Sequence, residues 1–193
     1  QGTGGTGGTG GSGGGAAGSG GSTPQPCDGC NLSREVCFDG KYCVAKQLPM
    51  TASGYSIDQT EVTRDQYAAW LATAPTTNGQ LGVCVWNTDY APNCAVLPSP
   101  GQKDAHPVGC VDWCDAYAYC ASVGKRLCGM IGGGANVFEN YANPSASQWF
   151  NVCSAGGVRD YPYGDTYEAD VCNGADKGGN VQMDAGACPD CVA

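Results

Sequence analysis

Apolar positions in this chain fall into one short alternating run and three short helical runs, separated by long polar and glycine-rich stretches. From Gly54 to Asp58 the alternation of Tyr55, Ser56 and Ile57 predicts a half-buried strand, which Thr60 and Glu61 carry towards a helix. That helix is predicted over Arg64 to Ala74. Thr63 and Gln66 form a capping box at its start, and Val62 and Tyr67 occupy the positions of a hydrophobic staple. Tyr67, Trp70, Leu71 and Ala74 then share one face, and Pro75 ends the run. The second run, HPVGCVDWCDAYAYCASVGKRLC from His106 to Cys128, predicts a short β-branched strand, a turn through Asp112 and a helix. Asp112 is a good N-cap, because its carboxylate accepts the unpaired amides of the first turn. Trp113, Ala116, Tyr117 and Cys120 follow at helical spacing as the apolar face. Gly124 suits the left-handed residue after the last turn, with Lys125 and Arg126 at the negative end of the helix dipole. A third, shorter helix is predicted in SQWFNVC, capped by Ser145 or Ser147, with Trp149 and Val152 or Cys153 inward.

The intervening stretches have their own character. Residues 1–22 are a glycine, threonine and serine tract, which reads as a flexible tether. Thr3, Thr6, Thr9 and Ser12 also recur every third residue, as a bundled threefold extended helix would require. No strand precedes the glycines and no lysine follows, so a phosphate-binding loop is excluded. CDGCNLSREVCFDGKYC, from Cys27 to Cys43, predicts a two-disulfide staple turning at Asp39–Gly40, and Asn31-Leu32-Ser33 within it is a glycosylation sequon. Residues 76–105 predict a long bridged excursion carrying Cys84 and Cys94. Trp86 and Tyr90 in it are candidate ligand platforms, or else the small core of the loop itself. Residues 129–136 are too glycine-rich for a regular element.

A chain of 193 residues allows one domain with a real core. Its formal net charge of -9 argues against nucleic acid and anionic lipid, both of which need a basic footprint. No apolar run approaches the ~20 residues that span a bilayer. The start at Gln1 rather than Met leads us to expect that a leader has been removed. Fourteen cysteines in an acidic, lysine-poor chain point to disulfides made in an oxidising compartment, hence to a secreted or cell-surface protein. Bridges are expected to engage Cys27, Cys30, Cys37, Cys43, Cys84, Cys94, Cys110, Cys114, Cys120, Cys128, Cys153, Cys172, Cys188 and Cys191. Zinc is the weaker reading, because the pairs CDGC and CPDC lie at opposite ends of the chain. Seven acidic residues from Asp160 onward (Asp160, Asp165, Glu168, Asp170, Asp176, Asp184 and Asp190) would suit calcium, although composition alone favours a solvated surface.

The motifs YSIDQTEVTRDQYAAWL, HPVGCVDWCDAYAYCASVGKRLC, CSAGG, YPYGD and CNG occur in this order between about residues 55 and 174. Together they resemble the formylglycine-generating enzyme family, also called the sulfatase-modifying-factor domain, in the style of its secreted, cysteine-rich bacterial members. The resemblance implies an α+β fold, a formylglycine-generating-enzyme variant of the C-type-lectin-like fold. Such a fold is low in regular secondary structure and disulfide-rich, and here its C-terminal half would be missing. It divides the chain into a tether (1–26), a cysteine-rich staple (27–47) and the N-terminal portion of the domain (48–193). By resemblance Asn173 contributes to a calcium site with Gly174 supplying a carbonyl, and Asp184 is the candidate carboxylate. The copper-binding cysteine pair, the GN-x-W-E-W segment and the arginine-rich ending of the family would lie beyond Ala193. Copper is therefore implied only where that half is present. Family members pair the cysteines matching Cys120 and Cys153 with partners in the same half. Here those two are expected to stay free, to pair locally or to bond to another chain. The iron-dependent branch of the family needs several histidines, whereas His106 is the sole one here.

Three functions follow as expectations. The first is a disulfide- and calcium-stabilised structural or binding module, extracellular and without catalysis of its own, whose candidate binding surface carries Trp86 and Tyr90. The second is a subunit of an extracellular fibre or coat assembled with other protein chains through the glycine tract. The third is a fragment of a copper-dependent cysteine-to-formylglycine oxidase.

Overall fold

A computed structural model describes residues 27–94, 96–99, 101–177 and 182–187. The glycine tract, Cys188, Asp190 and Cys191 lie outside these residues. The order of elements is β1 (Glu35–Phe38), β2 (Tyr42–Ala45), β3 (Gln47–Met50), β4 (Tyr55–Asp58), α1 (Arg64–Leu71), α2 (Trp113–Ser122) and α3 (Gln148–Cys153), with short 3-10 turns between them. This is a mixed α and β architecture of few helices and two separate two-stranded sheets.

The first sheet is the predicted staple. Asp39 and Gly40 both take positive φ, the geometry of a type I′ hairpin turn, and set Cys37 opposite Cys43 across β1 and β2. Cys27–Cys37 and Cys30–Cys43 then tie the preceding turn to both strands. All four residues of β2 are buried, and Tyr42 and Val44 enter the core. In the second sheet Met50 pairs with Tyr55 and Gln47 with Asp58. The alternating run thus forms a strand at Tyr55–Asp58 but stops short of Thr60.

α1 begins as its sequence requires. The Thr63 side chain and Gln66 form the reciprocal capping box. The helix is shorter than the predicted span, ending at Leu71 with Ala74 already at φ 54. It buries Gln66, Tyr67, Ala68 and Trp70, so its inner face is rotated from the predicted one, and Ala74 is exposed. Tyr67 and Trp70 meet Tyr119 and Tyr90 in a single aromatic core, with Trp70 edge-on to Tyr119 at 5.5 Å.

α2 is capped by Asp112, whose carboxylate accepts from the amides of Cys114 and Asp115, and Asp115 returns the bond to complete a box. Gly124 takes φ 70, as a residue past the last turn should. The predicted inner face is corrected, since α2 buries Cys114, Asp115 and Tyr119 while Trp113 stands in solvent. The strand expected before it is also absent. Residues 106–108 instead pair with the α1 cap through Arg64 N to His106 O at 2.9 Å and Val108 N to Val62 O at 2.9 Å.

α3 is capped by Ser147 and buries Val152, but Trp149, expected inside, is exposed. The glycine segment before it folds tightly, and a Cβ on Gly129 would stand 2.1 Å from the Gly134 carbonyl oxygen.

Candidate functional site

The excursion of residues 76–105 is not bridged to itself. Cys84 joins Cys114 on α2, and Cys94 joins Cys110 in the segment leading to it. The sequence expectation placed both cysteines in one excursion, but spacing along the chain says nothing about which distant cysteine faces them. Asn87 adds a second attachment, donating from Nδ2 to Asp115 Oδ1 at 2.8 Å in a buried contact. Gln80 Nε2 in turn donates to the Asn87 carbonyl at 2.7 Å. Burial, with the negative charges of Asp112 and Asp89, raises the Asp115 pKa despite the bond from Asn87.

This double attachment decides where the aromatic residues of the loop go. Tyr90 is buried against Trp70 at 5.2 Å and belongs to the central core, so it presents no platform. Tyr67 hydroxyl donates to the Tyr90 carbonyl at 2.8 Å, and burial raises the Tyr67 pKa. Trp86 faces solvent, and Val83 and Val85, flanking the bridged Cys84, do the same. Trp113, adjacent to the bridged Cys114, stacks on Tyr117 at 5.2 Å and is exposed with them. The sequence identified Trp86 but missed Trp113, because helical periodicity counted it among the inward positions.

Cys120, Cys128 and Cys153 are free; this corrects the expected bridge at Cys128, and at Cys120 and Cys153 it is one of the outcomes the resemblance implied. Cys172 is disulfide-bonded. Burial pushes the Cys120 thiol up to about 11, with Asp58 adding to the effect and Lys125 opposing it. Burial likewise raises Cys128 and Cys153. Nearby, Lys125 Nζ donates to the Ala45 carbonyl at 2.7 Å and lies 2.8 Å from Asp58 Oδ1. Asp58 Oδ1 receives no directed hydrogen bond, so this contact acts as an ion pair. Redox catalysis and copper binding use thiolates, and raising a thiol pKa keeps it protonated. Without a metal, burial thus favours the protonated form at each of these three thiols.

Among the described residues, one set of three potential metal-ligating groups clusters within 4.8 Å, namely Cys30, Glu35 and Cys43. It cannot serve as a metal site, because Cys30 and Cys43 share a disulfide. The Glu35 carboxylate is engaged by the Asn31 amide at 2.6 Å and Gln66 Nε2 at 2.7 Å. Of the predicted calcium residues, Asp184 lies 3.8 Å from His106 Nδ1, which also contacts Asp104 at 2.7 Å. Burial opposes ionisation of Asp104, yet bonds from the His106 ring and amide, with the Arg64 charge, hold its pKa below the ordinary value. Asn173 and Gly174 stand just before the 3-10 turn Ala175–Lys177.

No helix among the described residues is long and apolar enough to cross a membrane. The bridges fit formation in an oxidising compartment. No curated protein and no solved structure matches the chain. A family model described as the sulfatase-modifying factor enzyme 1-like domain matches residues 28–186. With that match covering most of its length, and with the ordered motifs from Tyr55 to Gly174 inside it, the chain belongs to the formylglycine-generating enzyme, or sulfatase-modifying factor, domain family.

Proposed function

We propose that this chain acts as an extracellular binding or structural module of the formylglycine-generating type and performs no cysteine oxidation by itself. In this reading residues 48–193 are the N-terminal portion of a lectin-like variant domain, and residues 27–47 a staple closing its edge. Residues 1–26 act as a tether. The observation that carries it is the contrast between two regions. Burial raises the pKa of each free thiol among the described residues, whereas Trp86 and Trp113 stand exposed beside residues fixed by Cys84–Cys114 and Asn87–Asp115. A scaffold that spends its covalent constraints on presenting aromatic surface, not on activating sulfur, is built for contact.

The test is direct. The chain is incubated with copper and a sulfatase-type cysteine peptide, and aldehyde formation is followed by mass spectrometry. No aldehyde is expected, and sustained turnover would sink the reading. Calcium held by Asn173, the Gly174 carbonyl and Asp184 is part of the same proposal. Calcium at a hundred times its Kd would stabilise the fold by about 2.7 kcal/mol. Chelation should then lower the melting temperature, and an unchanged melting curve removes the ion.

A further inference from the structure

We propose that Asn78 is a site of spontaneous covalent modification, at which the Gly79 backbone nitrogen attacks the Asn78 side-chain amide and the asparagine becomes a mixture of aspartate and isoaspartate. The inference goes beyond the module reading and does not depend on it. In the first step a bond forms between Gly79 N and Asn78 Cγ, and the bond from Cγ to Nδ2 breaks. Nδ2 leaves as ammonia, taking the proton that Gly79 N gives up. Water then opens the resulting cyclic imide. Opening at Cγ leaves aspartate with the original peptide bond. Opening at the main-chain carbonyl leaves isoaspartate, whose backbone runs through the side chain. Only water is consumed, and nothing is oxidised or reduced.

Sequence and geometry together single out this position. Of the ten asparagines, only Asn78 and Asn173 precede glycine. Glycine has no Cβ, which leaves its own nitrogen open to attack. Asn78 and Gly79 are both exposed, and a Cβ placed on Gly79 would meet nothing within 4 Å. The bonds of this turn run from Asn78 N to Thr76 Oγ1 at 3.1 Å and from Gln80 N to Thr77 O at 3.3 Å. Neither engages the Gly79 N–H or the Asn78 side chain, so nucleophile and target are both free among the described residues. Ring closure requires the peptide plane between them to rotate. Gly79 stands at φ 81 in the third position of a β-turn closed only by that long bond, so little holds the plane in place. With both reacting groups in adjacent residues, no encounter with a second molecule precedes the first step.

Asn173 has the same neighbour and a different setting. There Gly174 N donates to the Cys172 carbonyl at 2.8 Å, beside a disulfide-bonded cysteine. Attack requires that nitrogen to lose its proton, which the hydrogen bond retains. At Asn78 the product adds one negative charge to a chain already at -9. Isoaspartate also lengthens the backbone of the turn from which Gln80 Nε2 holds the Asn87 carbonyl at 2.7 Å.

The full chain, with its bridges intact, is held at about pH 8.5 for several weeks beside the same chain reduced and unfolded in guanidinium. After digestion, peptide mass spectrometry measures amide-to-acid exchange at each asparagine, and fragmentation separates isoaspartate from aspartate. In the folded chain exchange at Asn78 should exceed that at Asn173 by at least about tenfold, with isoaspartate among the products and a rate that rises with pH. In the unfolded chain the two sites should react at similar rates, because only the fold distinguishes them. Asn78→Gln should remove the product, since the longer side chain closes a larger ring. An unmodified Asn78, folded-state exchange at Asn173 as fast as at Asn78, or the same ratio of the two sites folded and unfolded each overturns the proposal. So does aspartate without isoaspartate, which would mean direct hydrolysis of the side-chain amide.

Discussion

Removing the Cys84–Cys114 bridge measures how much of the fold depends on covalent closure. Residues 84 and 114 are separated by 30 positions, which in the chain-entropy account corresponds to about 3.7 kcal/mol. The second bridge changes that figure. With Cys94–Cys110 intact, the shortest covalent path runs from Cys84 to Cys94 and from Cys110 to Cys114, an effective loop of about 15 residues worth about 3 kcal/mol. Both sulfurs are buried, so truncation adds a cavity cost of about 1 kcal/mol. The double variant Cys84→Ala/Cys114→Ala should therefore lose about 4 kcal/mol. For a domain of this size the melting temperature should fall by about 8–16 °C. The urea m-value should also rise, because the unfolded chain is released. Without Cys94–Cys110 the same double substitution should cost about 0.7 kcal/mol more, which equilibrium urea unfolding under non-reducing conditions can resolve. A loss below about 1 kcal/mol with an unchanged m-value would refute the reasoning. It would mean that the excursion is held by its noncovalent contacts and that the bridge only records their proximity.

Two further outcomes test the region around the free thiols. At pH 8 iodoacetamide should modify exposed Cys128 before Cys120. A thiol with its pKa at about 11 is only about one part in a thousand thiolate at that pH, at least a hundredfold less than an ordinary thiol. Cys120 labelling should gain about tenfold per pH unit up to about 11, read by peptide mass spectrometry, and labelling within tenfold of an unstructured cysteine peptide at pH 8 would contradict the burial account. Lys125→Met should destabilise by about 3–5 kcal/mol, because it strands the Asp58 carboxylate in a partly buried site, and adding Asp58→Asn should restore part of the loss. Equal losses in the single and double variants, measured by urea unfolding, would show that the ion pair is not what the lysine contributes.

What the sequence made legible was local. Thr63 with Gln66, Asp112 at its cap and Gly124 beyond its helix are each set by atoms within one turn of the residue concerned, and each appears where the letters place it. The rotation of each helix was not legible. α2 turns Cys114, Asp115 and Tyr119 inward because a bridge, a hydrogen bond and an aromatic cluster hold that face, whereas simple spacing favoured Trp113. α3 likewise buries Val152 and leaves Trp149 outside. Disulfide pairing escaped for the same reason, since it depends on which segments meet across long stretches of chain.

The candidate surface inherits that division between local and distant causes. A two-stranded hairpin is marginal alone, and the described residues form two of them, with helices of eight, ten and six residues. Such elements bury little surface each, and the described core rests on seven residues dominated by tyrosine and tryptophan. Closure of loops by bridges lowers the entropy of the unfolded chain without requiring those loops to bury their own apolar side chains. That is the physical condition under which Val83, Val85 and Trp86 can remain in solvent on an ordered backbone. Had the excursion been held by hydrophobic packing instead, the same residues would have been its natural core. Their outward placement is therefore tied to the bridge beneath them.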